Sequence, residues 1–218
     1  MSSSPTLKVL LLGDPFVGKT SLRAQYIHHV FSNSYRETVG ADFLSRRQTV
    51  GDDGDSEVFL QIWDTAGQER FKSLVKNFYR GTDVAIFMYD VSRPSTFHNL
   101  TTWINEFIEN VHTSNPSIVV VGNKCDKPIT DHLISIRQCK ELLSEHYVDQ
   151  YIDDLNHDIF YMSAKSFTET ENLFKRVAAL GLQNSQNNQN NTMMTFDRVD
   201  ISEPRDGTDG RGRSSGCC

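Results

Sequence analysis

The stretch Leu7–Thr20, LKVLLLGDPFVGKT, joins a nearly continuous apolar run to a glycine-rich turn that closes on Lys-Thr. Such a run suits a strand buried on both faces of a parallel sheet. The turn has the form G-x-x-x-x-G-K-[ST], and Ser21–His29 beyond it carries helical spacing. In a strand–turn–helix of this kind, backbone N–H groups of the loop and the helix start converge on phosphate oxygens, aided by the helix dipole. Asp14, Pro15, Phe16, Val17, Gly18 and Ser21 are therefore candidate phosphate-binding positions. Lys19 is placed to bridge the β- and γ-phosphates, and the Thr20 hydroxyl to bind Mg²⁺. The plain alternative is a glycine-rich turn with a chance lysine.

Outward from this stretch, Phe43–Val50 and Val58–Trp63 read as two strands of a hairpin whose turn, Gly51–Asp55, is rich in residues that tolerate positive φ. Val84–Tyr89, Ile118–Val121 and Ile159–Met162 read as further strands. Thr96–Val111, Ile136–Glu145 and Glu169–Leu180 carry helical spacing. The alternation predicts an α/β fold: a six-stranded, mostly parallel sheet with one antiparallel strand and helices on both faces. Ligands sit at the carboxyl ends of the strands in such sheets, and each motif of interest follows a strand.

Three later motifs narrow the ligand. In DTAG (Asp64–Gly67) the carboxylate ends an apolar strand and points to the phosphate edge, so Asp64 is a candidate Mg²⁺ partner through water. Gly67 can bring its N–H close to the γ-phosphate. Gln68 is then placed to orient an attacking water, with an exposed loop glutamine as the alternative. In NKCD (Asn123–Asp126), Asp126 can accept from both the ring N–H and the exocyclic amine of guanine, a donor pair that adenine lacks. Lys124 can lay its stem along the base. In SAK (Ser163–Lys165), Ala164 offers a backbone N–H to the guanine carbonyl. Phe31 is a candidate to pack on the base, or else a hydrophobic staple after the first helix.

Composition removes other classes. A net charge of −6 over 218 residues gives no general attraction to nucleic acid or anionic lipid. No stretch approaches the roughly 20 apolar residues of a membrane span, and the first residues lack the features of a secretory signal. The four cysteines suggest neither a disulfide framework nor zinc, which points to a reducing compartment. The seven histidines are scattered. Asp149, Asp153, Asp154 and Asp158, in the acidic stretch Tyr147–Asp158, read as surface. Residues 1–182 are expected to form one domain. Gln183–Cys218 opens on QNSQNNQNN and reads as a disordered tail, with an r.m.s. reach of roughly 30–35 Å.

From about Lys8 to Leu182 the sequence resembles the small GTPases of the Ras superfamily, and within it the Rab family. The residues that carry this are VGADF (Val39–Phe43), FLQIWDTAGQERF (Phe59–Phe71), FYRGT (Phe78–Thr82), FMYDVS (Phe87–Ser92) and the final Cys217-Cys218. The stretch YRETVGADFL is similar to the late-endosomal and lysosomal branch. The resemblance implies a small G domain that binds GTP or GDP with Mg²⁺ and hydrolyses GTP as a switch in vesicle traffic. It implies that Thr38 ligates Mg²⁺ and the γ-phosphate, with Tyr35 a nucleotide contact beside it. Phe43, Trp63 and Phe78 would form the aromatic surface for effectors, or else ordinary half-buried core. It further implies an exchange factor, a GTPase-activating protein, a prenyl-binding escort or dissociation inhibitor, GTP-selective effectors, and a place on the cytosolic face of endomembranes with a cytosolic pool. Cys217 and Cys218 would carry geranylgeranyl groups, two lipids giving the stable attachment that one does not.

One departure bears on chemistry. Where the family has serine or glycine followed by glycine, this chain has Pro15-Phe16. Proline removes an N–H and fixes φ, at a position where the γ-phosphate, Gln68 and an activator's arginine must meet. Phosphate binding is expected to survive, and hydrolysis to be altered. Three other readings stay open: a GTP-binding module that scarcely hydrolyses, a P-loop phosphotransferase, which NKCD and SAK oppose, and a Ras- or Rho-type switch, which would lack the tryptophan block and the cysteine pair.

Overall fold

A computed structural model describes residues 4–32, 37–38, 40–51, 56–67, 75–111, 116–128 and 133–196, with side chains as far as Ser185. The strands are β1 (Thr6–Leu12), β2 (Ala41–Val50), β3 (Ser56–Thr65), β4 (Val84–Asp90), β5 (Ser117–Asn123) and β6 (Ile159–Met162). They form one six-stranded sheet in the order β2-β3-β1-β4-β5-β6. All neighbours pair parallel except β2 and β3, which are antiparallel with Phe43 opposite Trp63. The helices are α1 (Lys19–His28), α2 (Pro94–His98), α3 (Leu100–Asn110), α4 (Ile136–Glu145) and α5 (Phe167–Phe196). This is the α/β fold expected from the sequence, a six-stranded and mostly parallel sheet with one antiparallel strand.

The strand period of two divides the core. Leu10 and Leu12, Ala85, Phe87 and Tyr89, Ile118 and Val120 face one way and pack with Trp103, Ile104 and Phe107 of α3 and Cys139 and Leu143 of α4. Val9 and Leu11, Val84, Ile86 and Met88, Val119 and Val121 face the other way, against Leu22 and Tyr26 of α1 and Phe174 and Val177 of α5. β4 and β5 are buried along their whole length, so their carboxyl ends cannot shift without disturbing both layers. Local chemistry fixes the helix starts. Ser135 and Gln138 form a capping box that begins α4, and Pro94 occupies the first turn of α2.

Three expectations change. The single helix over Thr96–Val111 is two, α2 and α3, divided at Asn99, whose side chain is held by the phosphate-binding turn. Asp158 is not surface: it is fully buried, accepts the Asp154 N–H at 2.8 Å, and pairs with Arg176 at 2.7 and 3.2 Å. A polar spacing pattern could not show that a partner from α5 reaches it. The third concerns the stretch read as a disordered tail from Gln183. Its residues to Phe196 continue α5, whose 30 residues span about 45 Å at 1.5 Å per residue. Propagation beyond the packed segment Leu173–Leu180 needs no new nucleus, and Asn184 donates to Ser117 Oγ at 2.8 Å, tying the next turn to β5. Residues 197–218, with Cys217 and Cys218, lie outside the described residues.

Arg176 supplies a stability prediction. Arg176→Met should destabilise the domain by about 3 kcal/mol, because the Asp158 carboxylate stays buried without its cation. Urea unfolding at fixed nucleotide concentration measures this. Asp158→Asn added to Arg176→Met should recover part of the loss, and an unchanged urea midpoint in the single variant would contradict the account.

Candidate nucleotide site

The carboxyl ends of β1, β3, β4, β5 and β6 bring Gly13, Asp64, Asp90, Asn123 and Ser163 to one edge of the sheet. The turn after β1 is close enough to β4 that a Cβ at Gly13, with φ 134°, would lie 2.2 Å from the Met88 carbonyl oxygen. Gly18, with φ 105°, precedes α1 and leaves room for the Asn123 side chain, which a Cβ would meet at 2.3 Å.

Every carbonyl of the turn has a donor. Lys19 Nζ donates to Gly13 O at 2.7 Å and Asp14 O at 2.9 Å. Arg93 Nη1 donates to Pro15 O at 3.4 Å, Lys124 Nζ to Phe16 O at 2.5 Å, and Asn123 Nδ2 to Val17 O at 2.7 Å. The Leu22 N–H donates to Gly18 O at 2.9 Å. With its oxygens occupied by these donors, the turn keeps its N–H groups for an anion. Lys19 is buried, and burial pushes its ammonium down to about 8, against the opposing pull of Asp64 and Asp14.

The Mg²⁺ expectation can be tested on the buried polar atoms. Asp64 is fully buried, and among the described residues no group stands in hydrogen-bonding geometry to either of its oxygens; Arg23 Nε approaches one at 3.9 Å. Burial pushes its carboxyl up, offset in part by the Thr20 hydroxyl and the Arg23 and Lys19 cations. The Thr20 and Thr38 hydroxyls lie 2.8 Å apart. One orphaned carboxylate beside two hydroxyls is a hard, oxygen-only set that fits Mg²⁺. Among the described residues no cluster of three histidine, cysteine or acidic side chains offers another metal site.

On the base side, a cleft of about 110 Å³ is lined by Gly18, Ser21, Phe31, Asn123, Lys124, Asp126, Ser163, Ala164 and Lys165, together with Lys127. Asp126 accepts from Ser163 Oγ and Lys165 Nζ, both at 2.6 Å. Burial pushes its carboxyl up, but these two donors outweigh burial and hold it below the usual carboxylate range. Lys165 Nζ also sits 5.7 Å above the Phe31 ring. Ala164 lines this cleft, and its N–H donates to Asn123 Oδ1 at 2.9 Å, which braces Asn123. Spacing alone could not reveal this, because Asn123 Oδ1 also accepts the Lys124 N–H, at 2.8 Å.

Sequence reasoning missed two sets of residues. Asp90, fully buried at the end of β4, pairs with Lys124 at 2.8 Å and with Lys127 at 3.3 Å. Burial pushes its carboxyl up, yet the hydrogen bonds from Lys124 and Ser92 bring it down to about 2. An acid closing an apolar strand, as Asp64 does, was the available signal. Asn99 and Trp103 reach Asp14 from α2–α3, and no motif announces them.

Phe43, Trp63 and Phe78 come together on the sheet surface, with Phe43 and Trp63 stacked at 4.8 Å and Trp63 and Phe78 at 5.2 Å. Phe43 is 48% exposed. Tyr35 and Gln68 lie outside the described residues.

A family profile described as the Ras family matches residues 8–183. The chain is 39% identical to the Ypt/Rab-type GTPase YPT7 of Saccharomyces cerevisiae over 183 residues, covering 83% of each. It is 39% identical to the Ras-related protein Rab7 of Drosophila melanogaster, over 83% of this chain and 92% of that one. To the Ras-related protein RABG3f of Arabidopsis thaliana it is 38% identical, over 97% of this chain and 95% of the other.

Proposed function

The chain belongs to the Ras family, as a Rab7/Ypt7-type GTPase that regulates membrane and vesicle traffic, and from that premise we propose how its residues do the work. It binds GTP and GDP and hydrolyses GTP, it associates with endomembranes, and it answers to regulators and effectors. No helix among the described residues is long and apolar enough to cross a membrane.

In the proposed mechanism the turn Asp14–Ser21 surrounds the phosphates and Lys19 lies against the β- and γ-oxygens. Thr20, Thr38 and Asp64 would hold Mg²⁺, which supplies charge neutralisation at the transferring phosphoryl group. Gln68 orients the water for attack on the γ-phosphorus. Thr38 and Gly67 engage the γ-phosphate only in the GTP state, so its loss releases both segments. Asp126 reads the guanine edge, Lys124 and Phe31 flank the base, and Asn123, Ser163, Ala164 and Lys165 hold these groups in place. The observation that carries the reading is the Asp126 carboxylate, kept charged by Ser163 and Lys165 in the same cleft as Phe31 and Lys124. Displacement of a fluorescent GDP from full-length protein with Mg²⁺ tests it. GTP and GDP should compete and ATP should not; competition by ATP at similar concentrations would overturn it.

The finer assignments belong to the same proposal. We place the end of the nucleotide-binding domain after Asn184, with the remainder a tether lipidated at Cys217 and Cys218. Phe43, Trp63 and Phe78 dock GTP-selective effectors. The partners are an exchange factor, a GTPase-activating protein and an escort or dissociation inhibitor, and the membrane is that of late endosomes or lysosomes.

Pro15-Phe16 favours a second reading, a GTP-binding module with impaired hydrolysis. Pro15 brings no N–H to the γ-phosphate edge, and Phe16 stands at φ 67° with half its surface exposed. Single-turnover hydrolysis by wild type beside a Pro15→Ser/Phe16→Gly variant decides it, and identical rates with and without activator would end this second reading. A left-handed backbone at a bulky residue costs about 1–2 kcal/mol. Phe16→Gly alone should therefore raise the unfolding free energy by about 1 kcal/mol, after the entropy that glycine gains in the unfolded chain.

A further inference from the structure

We propose that Asn99 and Trp103 are positioning residues for the phosphate-binding turn, acting through the Asp14 carboxylate to set how long the nucleotide stays bound. This deepens the nucleotide-site reading and rests on it. Trp103 Nε1 donates to Asp14 Oδ1 at 2.8 Å and Asn99 Nδ2 donates to Asp14 Oδ2 at 2.8 Å, so each oxygen has its own donor from the helical layer. The Trp103 ring is only 2% exposed and packs in the core, which fixes where its N–H points. Asn99 lies at the division between α2 and α3, and the break turns its amide toward the turn rather than along a helix face.

The turn needs this hold. Pro15 and Phe16 replace the freedom that small residues give, and Phe16 is kept at φ 67°. Asp14 is also the residue whose carbonyl accepts from Lys19 Nζ at 2.9 Å, so a displacement of Asp14 moves a partner of the phosphate-binding lysine. The bonds to a charged carboxylate are of the stronger kind. A cavity of about 360 Å³ beside them is walled by Asp14, Pro15, Gly67, Arg93, Asn99 and Trp103 among others. The glycine proposed to sense the γ-phosphate thus shares a wall with the brace. A shift of α3 relative to the sheet would therefore be transmitted to the phosphates through a two-bond link.

The test uses full-length protein loaded with fluorescent GDP and chased with excess unlabelled GDP in Mg²⁺. Trp103→Phe keeps an aromatic ring and removes the donor together with part of a buried indole, a packing loss that the Asp14→Ala background separates from the hydrogen bond; Asn99→Ala changes an exposed side chain. Each should speed GDP dissociation about tenfold, the effect of losing one hydrogen bond to a charged group. Acting through Asp14, neither should add more than about twofold in an Asp14→Ala background. Unchanged dissociation in both single variants overturns the proposal. So does an equal acceleration with Asp14→Ala already present, since the effect would then be one of packing. Failure of wild-type protein to bind GDP would instead remove the nucleotide-site reading beneath it.

Discussion

Replacement of Asp126 by asparagine should lower GTP affinity by about 10³-fold, two charge-assisted hydrogen bonds at about 1.5–3 kcal/mol each. ATP should remain as poor a ligand as before. A carboxylate accepts from both the ring N–H and the exocyclic amine of guanine; an asparagine presents one acceptor and one NH₂, so one of the two meetings becomes donor against donor. Asp126 is well prepared for the task. Burial works against its charge, but Lys165 and Ser163 outweigh it and hold the carboxyl below the usual range. A lowered folded-state value contributes stability above the ordinary carboxylate value and loses it as pH falls below that. Through this group, guanine affinity should therefore be flat from about pH 5 to 8, well above the ordinary aspartate value. Competition against fluorescent GDP measures both effects, and a loss smaller than tenfold in Asp126→Asn would contradict the assignment.

Gly67→Ala should reduce single-turnover GTP hydrolysis at least ~100-fold, or about 2.7 kcal/mol of transition-state stabilisation, while GDP affinity changes little. A Cβ at Gly67 would stand 2.5 Å from Pro15 N, 2.6 Å from the Asp14 carbonyl carbon and 2.6 Å from Lys19 Nζ. Two of those atoms are backbone and cannot yield, so the glycine must retreat from the phosphate edge. Its N–H would retreat with it, and so would the water-orienting Gln68 that follows in sequence. GDP lacks the phosphate that this approach serves, which is why its binding should be spared. GDP dissociation measured beside hydrolysis separates the outcomes. Equal loss of both activities would show that Gly67 holds the turn together rather than sensing the third phosphate.

These two positions are proposals that the sequence alone already makes. Asp126 and Gly67 sit in motifs whose residue types are dictated by the ligand, so chemistry and spacing point to them without coordinates. The strands were legible for a similar reason. A sheet covered on both faces needs apolar runs, and the period of two along β1, β4 and β5 is what separates the two core layers. The Ala164–Asn123 hydrogen bond was not legible, because nothing in the spacing of the motifs brings the Asn123 side chain to that N–H. The helical run beyond Gln183 was misread because a polar composition argues against independent structure. It says nothing about propagation from a packed helix.

The sequence by itself pointed to a guanine nucleotide and placed each motif after a strand, because phosphate and guanine each demand particular atoms at particular separations, and the wider motifs carried the resemblance to the family. Only the tertiary structure decided which groups hold those atoms still: Asp90 under Lys124, Asp158 under Arg176, and Asn99 with Trp103 around Asp14. These partners lie 18 to 89 residues apart in the chain. A carboxylate in the sequence carries no mark of the cation or N–H that will meet it. That meeting is set by how helices cross the sheet, through packing that many sequences could provide.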